Sequence, residues 1–346
     1  MKLLLLGGTG FGGRAVAEAA RDRGWEVTVF HRGEHPAPAG VRVLHGDRTA
    51  PGGLATLAAG EWDAVVDTWS SAPSVVRDAA RLLAGRVGRY AFVSSRSVYA
   101  WPPAAGLDED GPLAEGDPDA DATEFPADKR GAELAVLREL GEERTLIARP
   151  GLILGPRETP GRLTWWLERI ARGADGGPVL APGPRDTPLQ YVDARDLAAW
   201  VLDALDAGLH GPYNVVGPRD HATMGDLLDA CVRATGSDAE LRWLSPEAIE
   251  AAGVEGWSDL PIWAPPGSEL HAAVHAGDVS RALATGLRCR PLLDTVKDTW
   301  AWRQALPADV APPLADGLSA EKEAGVLAGL AAGAADPAVR REPRCR

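Results

Sequence analysis

The sequence predicts an α/β protein, a doubly wound parallel sheet with a smaller mixed α/β lobe. Three observations predict it. Over residues 1–150, short apolar runs alternate with helix-period segments, the pattern of strands covered by helices on both faces. A glycine cluster, Gly7-Gly8-Thr9-Gly10-Phe11-Gly12-Gly13, stands where the first strand meets the first helix. The length of 346 residues suits two domains, or one large unit with an appended lobe, at roughly 100–200 residues per domain.

Taken in order, the candidate strands are Lys2–Leu6, Glu26–Phe30, Val41–Leu44, Ala64–Val66, Arg89–Val93 and Arg144–Ala148. The opening Met1-Lys2-Leu3 resembles a secretion signal, but the apolar run stops at Gly7 and reads as a strand. Helices fit between the strands at Phe11–Arg23, Ser74–Ala84 and Pro126–Leu140. Six strands joined by right-handed crossovers make a doubly wound sheet the economical topology. After Arg149-Pro150-Gly151 the pattern loosens. A helix at Leu163–Arg172 carries Trp165 and Trp166, and Gln190-Tyr191-Val192-Asp193 leads into a helix at Asp196–Asp206 and a strand at Tyr213–Val216. Helices at Met224–Thr235, Pro246–Ala251 and Leu292–Gln304 then mix with one strand, Glu240–Trp243. The expected division is a dinucleotide-binding domain over 1–155, rejoined by about 188–220, and a substrate lobe over 156–187 and 221–305. Residues 306–346 form a C-terminal extension of Pro-rich coil around one helix, Ala320–Leu330.

Composition narrows the partners. Thirty-six basic against 49 acidic residues give a net charge of -13, which disfavours nucleic acid and anionic membranes, since phosphate binding needs a basic surface. Cys231, Cys289 and Cys345 show neither metal-ligand spacing nor a disulfide framework, so no metal is expected and a reducing cytoplasm is the expected compartment.

The glycine cluster matches G-x-x-G-x-x-G at Gly7, Gly10 and Gly13. Glycines allow the tight turn and the approach of backbone to a pyrophosphate, while the helix start offers free N–H groups and positive dipole. Thr9 and Phe11 lie within the same turn. The second strand ends in Phe30-His31-Arg32-Gly33, without the acid that binds the ribose hydroxyls of NAD. Arg32, with Arg14 just after the last glycine, suits the 2'-phosphate of NADP, which is favoured over NAD. An exposed arginine pair is also an ordinary solvated surface. Asp47, after the third strand, stands where it would meet the adenine edge, or it caps a turn.

These residues resemble the extended short-chain dehydrogenase/reductase family, also called the NAD-dependent epimerase/dehydratase family, over about residues 1–305. Val93-Ser94-Ser95-Arg96-Ser97-Val98-Tyr99 looks like its S-S/T-x-x-V-Y segment. Arg149-Pro150 with Gly155-Pro156, and Val192-Asp193 with Asp196-Leu197, look like two further landmarks. The strand end Phe-His-Arg-Gly is similar to an atypical bacterial branch that leans to NADP. The resemblance implies a Rossmann sheet, a nicotinamide cofactor, a small-molecule substrate and, because members are often dimers, a possible homodimer.

It also implies a Tyr-x-x-x-Lys helix and a serine. In such a set Tyr is the general acid or base, Lys holds the nicotinamide ribose and lowers the Tyr pKa, and Ser orients the substrate oxygen. Here Ser95 matches the serine and Lys129 the lysine, but the tyrosine position is Phe125. A phenyl ring has no ionisable proton. A helix-start core aromatic is the bland reading of Phe125; replacement of a catalytic residue is the other. Three functions follow: an oxidoreductase or epimerase whose proton comes from Tyr99, Glu124, Asp128 or a Ser95-bound water; a lyase or isomerase with a structural nucleotide; and an NADP-binding sensor without turnover. Trp69, Trp101, Trp165, Trp166, Trp257 and Trp263 either line a cleft for a flat, cyclic substrate or pack a core. The acidic, Pro-rich stretch from Trp101 to Glu124 is a lid or a solvated insertion.

Overall fold

The computed structural model describes residues 1–307, 311–312 and 314–335. Its strands and helices run β1 (Lys2–Leu6), α1 (Phe11–Asp22), β2 (Glu26–His31), β3 (Arg42–His45), β4 (Trp62–Asp67), α2 (Pro73–Leu83), β5 (Val87–Val93), α3 (Phe125–Leu140), β6 (Thr145–Pro150) and β7 (Leu152–Leu154). They continue with α4 (Arg162–Ala171), β8 (Val179–Pro182), β9 (Tyr191–Asp193), α5 (Ala194–Asp206), β10 (Gly211–Val215), α6 (Met224–Thr235) and β11 (Leu241–Leu244). The helices α7 (Pro246–Ala251), α8 (Glu269–His275), α9 (Ser280–Ala284), α10 (Leu292–Gln304) and α11 (Ala320–Ala335) complete the chain.

Seven parallel strands form the central sheet in the order β3-β2-β1-β4-β5-β6-β10. Strand order reverses between β1 and β4, the switch point where such sheets open a crevice at their carboxyl ends. The period of two along β1 explains its run of leucines. Leu3 and Leu5 pack with Val16, Ala17 and Ala20 of α1 and with Leu197 and Val201 of α5. Leu4 and Leu6 pack on the opposite face with Val76, Ala79 and Leu83 of α2 and Ala132 and Val136 of α3. Each buried leucine is worth roughly 1.5–3 kcal/mol of transfer free energy.

The sheet has one strand more than the six expected from the first half of the chain, because the late strand β10 returns to pair with β6. Two parallel pairs outside it, β7 with β9 and β8 with β11, include runs of three or four residues, too short to show a period. The chain divides into two compact units, Met1–Thr159, Pro188–His221 and Gly267–Pro291 forming the first. Gly267–Pro291, assigned to the substrate lobe on sequence, thus joins the first unit. Polar contacts explain it: the Gln190 backbone N–H donates to His275 Nδ1 at 3.0 Å, the Gln190 amide donates to the carbonyls of Gly217 and Gly277 at 3.0 Å each, and Asn214 Nδ2 donates to the Asp278 carbonyl at 3.0 Å.

The second unit takes Pro160–Thr187, Ala222–Pro266 and the chain from Leu292 on. Its helix α6 starts in a reciprocal cap between Thr223 and Asp226, which satisfies two otherwise orphaned donors. Trp166 and Trp263 are core residues here, and the Trp166 indole donates to the Pro261 carbonyl at 2.7 Å. Helix α11, reaching beyond the Ala320–Leu330 expected, is tied in by Glu323, which pairs with Arg169 and accepts the Leu180 N–H at 2.7 Å. Cys231 and Cys289 are free thiols; Cys345 lies outside the described residues.

Candidate functional site

The glycines between β1 and α1 divide into two kinds. Gly7 has φ +114°, and a Cβ there would stand 2.4 Å from Thr68 Oγ1. A Cβ on Gly13 would stand 2.7 Å from the Gly8 nitrogen. Packing forbids side chains at both. Nothing lies within 4 Å of a Cβ built on Gly10 or Gly12, so no packing contact explains their bareness. Gly10 is the N-cap of α1 and supplies no side-chain cap, which leaves the first N–H groups of the helix turned outward as an anion cradle. Thr9 and Gly10 line a cavity of about 300 Å³ together with Arg32, Asp47, Arg48 and Trp69. Glycine turn, bare helix start and adjoining cavity fit a dinucleotide, its pyrophosphate on the turn and its adenosine in the cavity. Phe11, the first residue of α1, is half-buried.

On the cavity wall Arg32 is half exposed and bonds Glu34 at 3.0 Å. Arg14 is committed elsewhere, to Glu18 at 2.8 Å and the Pro36 carbonyl at 3.0 Å. Asp47 Oδ1 accepts the Thr49 hydroxyl at 2.7 Å and the Thr49 N–H at 2.9 Å, bonds that hold its carboxyl below the usual range. Thus Asp47 does cap a turn while its residue lines the cavity. The buried ion pair that holds the cavity-lining Arg48 was not evident on sequence. Arg48 forks onto Asp67 with two bonds of 2.7 Å, and Asp67 also accepts the Tyr90 hydroxyl at 2.6 Å and the Trp69 N–H at 3.0 Å. Burial pushes the Asp67 carboxyl up, but the charge and bonds of Arg48 outweigh it and hold it below the usual range. The Arg48 guanidinium lies 5.1 Å from the Trp69 ring centre. The available signal was position: Asp67-Thr68-Trp69 follows the carboxyl end of a central strand, where ligands of open α/β sheets bind.

Beyond the end of β5, Ser94 points inward and donates to Glu133 Oε1 at 2.6 Å. Ser95 caps the turn Arg96–Val98, its Oγ accepting from the Ser97 N–H at 3.1 Å and the Ser97 hydroxyl at 3.0 Å. No acceptor for the Ser95 hydroxyl hydrogen is found among the described residues. Lys129, buried on α3, donates from Nζ to the carbonyls of Trp69 at 2.5 Å and Val93 at 2.7 Å, at the ends of β4 and β5. Burial pulls its ammonium down to about 8. An ammonium has three hydrogens, and the third is uncommitted among the described residues. Phe125, one turn earlier, is 47% exposed, so it is not a core aromatic.

Two of the alternative proton donors are engaged, the Tyr99 hydroxyl and one oxygen of Asp128. The Tyr99 hydroxyl donates to Asn214 Oδ1 at 2.7 Å and accepts from Arg149 Nη1 at 3.2 Å, and burial pushes its pKa up. Asp128 Oδ1 accepts the Thr123 N–H and hydroxyl at 2.8 and 2.7 Å. Glu124 stands at the N-cap of α3, but its side chain makes no cap bond. Trp101 is 60% exposed, whereas Trp165 is buried and Trp257 carries the Arg162 guanidinium 4.9 Å from its ring centre. Among the described residues no helix is long and apolar enough to cross a membrane, and no cluster of His, Cys, Asp or Glu could hold a metal ion.

Comparison with curated proteins finds no match. Among solved structures the chain resembles a protein of Burkholderia cenocepacia J2315, at 23% identity and TM-score 0.66, covering 88% of this chain and 98% of that one. The Bordetella bronchiseptica enzyme WbmH, solved with NAD+, gives 19%, 0.64, 88% and 98% for the same quantities. The UDP-glucose 4-epimerase of Thermus thermophilus, solved with NAD, gives 22%, 0.60, 88% and 100%. These likenesses establish the common fold. The model of the NAD dependent epimerase/dehydratase family matches residues 3–217. That span is more than half of the chain and reaches from the first strand of the sheet past its last, so this protein belongs to the NAD-dependent epimerase/dehydratase family.

Proposed function

We propose that the protein is an NADP(H)-dependent oxidoreductase or epimerase acting on a small cyclic carbonyl or hydroxyl metabolite, with a serine pair moving the proton that a tyrosine would move. The observation that carries this reading is the Lys129 ammonium, buried and anchored on the ends of β4 and β5 with one donor to spare, beside a tyrosine position filled by Phe125. Bound nicotinamide would supply or accept a hydride. Gly7, Thr9, Gly10, Phe11 and Gly13 form the turn against the pyrophosphate, Asp47 and Arg32 bound the adenosine end, and Arg14 supports the loop that follows Arg32. Lys129 offers its third hydrogen to the nicotinamide ribose.

At the reacting carbon the Ser95 hydroxyl donates to the substrate oxygen. As that proton leaves, Ser97, already donating to Ser95 Oγ, refills it from solvent, a two-hydroxyl relay. Tyr99 positions this segment from behind. Phe125 and Trp101 present exposed apolar faces, which suits a ring; the sugar of the UDP-glucose taken by the Thermus enzyme is one ring of this class. The free thiols Cys231 and Cys289 suit a reducing cytoplasm, and a homodimer is the assembly carried over from the family.

The test is to titrate the full chain with NADPH and follow its oxidation across cyclic ketones and UDP-sugars. Tight binding with turnover is expected. No nucleotide binding would overturn the reading, and binding without turnover would make the protein a sensor.

A further inference from the structure

Arg48, Arg149 and Arg169 have buried side chains, and each is paired with a carboxylate, of Asp67, Glu133 and Glu323 respectively. Arg96 is buried too and has no such partner. The residue is 7% exposed, and its one bond among the described residues runs from Nη1 to the Val274 carbonyl at 3.4 Å. Its Nε is closed to solvent without a partner, whereas Nη2, also unbonded, is not closed off.

Glu109 is the acid whose charge reaches Arg96, but its carboxylate is spent elsewhere. Its Oε1 accepts the Asn214 N–H at 2.7 Å, and its Oε2 lies 3.5 Å from Arg281 Nε. Burial holds the Arg96 guanidinium below its ordinary value against the opposing influence of Tyr99 and Glu109. An arginine nevertheless stays charged at neutral pH. A buried charge with no counter-charge is costly, and no group among the described residues offsets it.

The surroundings are shaped to the guanidinium. A Cβ on Gly277 would stand 2.1 Å from Nη2 and 2.8 Å from Nη1, so only bare backbone fits there. That backbone is held still by Gln190, whose Oε1 accepts the Gly277 N–H at 2.7 Å and whose amide donates to the Gly277 carbonyl at 3.0 Å. Arg96 opens the turn Arg96–Val98, directly after its cap Ser95 and before Ser97. The serine read above as holding the reacting oxygen is thus the chain neighbour of an unneutralised guanidinium.

We infer that Arg96 anchors a carboxylate carried by the substrate, which makes the metabolite a ring bearing a carboxylate as well as its carbonyl or hydroxyl. A guanidinium meets a carboxylate with two parallel N–H bonds, and four of the five hydrogens of Arg96, all but the one on Val274, are unbonded among the described residues. The entering anion supplies the missing counter-charge. The small opening left by 7% exposure suits a planar carboxylate better than a tetrahedral phosphate. The ring and the reacting oxygen rest on the oxidoreductase or epimerase reading given above; the anion site itself needs no nucleotide.

Calorimetric titration of the full chain with cyclohexanecarboxylate, with cyclohexanecarboxamide, with inorganic phosphate and, separately, with NADPH tests it. The acid is expected to bind about 10- to 100-fold more tightly than the neutral amide, the worth of a charged hydrogen bond. Arg96→Met brings the acid down to the amide. It also raises the melting temperature, because it removes a buried charge that nothing neutralises. Saturating acid raises the melting temperature of the parent and not of Arg96→Met. Arg96→Lys, charged but without the fork, keeps only part of the preference. Equal affinity for acid and amide, no binding of the acid, or a preference that survives Arg96→Met overturns the inference, and phosphate binding more tightly than the acid overturns the choice of carboxylate. Acid preference without NADPH binding leaves the anion site standing and overturns the nucleotide-dependent reading. NADPH binding without acid preference does the reverse.

Discussion

The Lys129 ammonium lies 5.9 Å from the centre of the Phe125 ring, one helical turn apart on α3. The lysine is held from below by the carbonyls of Trp69 and Val93, so its station does not depend on a phenol. Burial lowers its pKa from 10.5 to about 8. Between those values the unfolded chain binds more protons than the folded one, and stability rises with pH; below about 8 both states are charged and the full cost of burial applies.

Lys129→Met has no such linkage. Urea unfolding of both proteins should therefore show the parent gaining roughly 2–3 kcal/mol on the variant as pH rises from about 7.5 to about 10.5. A constant difference across that window would remove the buried-charge account. At neutral pH the variant should also bind NADPH at least about tenfold more weakly, the loss of one charge-assisted hydrogen bond.

Gly10→Ala separates a glycine kept for a ligand from one kept for the fold. Gly10 has φ -85° as N-cap, and a Cβ there meets nothing within 4 Å. Stability should change by less than about 0.5 kcal/mol. Dinucleotide affinity should fall at least about tenfold, because the methyl stands between the helix N–H groups and the pyrophosphate. Gly13→Ala, whose Cβ would strike the Gly8 nitrogen, should instead destabilise the protein by about 1–3 kcal/mol. Equal melting temperatures for the two variants would contradict this division.

Arg32→Ala should weaken NADPH about 10- to 100-fold and leave NADH nearly unchanged, since the charged bond it removes is worth roughly 1.5–3 kcal/mol and only NADPH makes it. The Arg32–Glu34 pair adds a second arm. Both side chains are more than half exposed, so the pair itself adds little stability, but it competes with the phosphate for Arg32. Glu34→Gln should tighten NADPH several-fold without moving the melting temperature. Indifference of both variants to the nucleotide would place the 2'-phosphate elsewhere.

The glycine turn and the sheet core were legible because they are local: each is a short run in or beside a strand whose period declares itself. The buried pair behind the cavity was not, since Arg48 and Asp67 are 19 residues apart and meet only through the sheet that holds β3 and β4. The occupied state of Tyr99 was equally hidden. Its hydroxyl is closed off by Asn214, 115 residues away, on the strand that returns late to the sheet edge. Spacing along the chain shows which groups are present, whereas hydrogen-bond commitment depends on the topology that brings distant strands together.

Phe125→Tyr tests how the reaction obtains its proton. The ring at residue 125 is 47% exposed, so a hydroxyl at its tip neither overpacks a core nor is buried unsatisfied, and stability should hold within about 0.5 kcal/mol. The phenol would stand near the Lys129 ammonium, whose charge favours phenolate and draws its pKa down from about 10. If the serine relay is a weak substitute, the variant should reduce activated cyclic ketones about 100-fold faster than the parent, the gain a positioned acid provides. Its rate should then acquire a new ionisation on the alkaline limb of the pH profile. A parent that already turns over rapidly, with Phe125→Tyr neutral and Ser97→Ala strongly impaired, would assign the proton to the relay instead. Loss of activity in Ser95→Ala alone, with Ser97→Ala unaffected, would confine Ser95 to orienting the substrate and would discard the relay, because a two-hydroxyl chain cannot survive removal of its outer member.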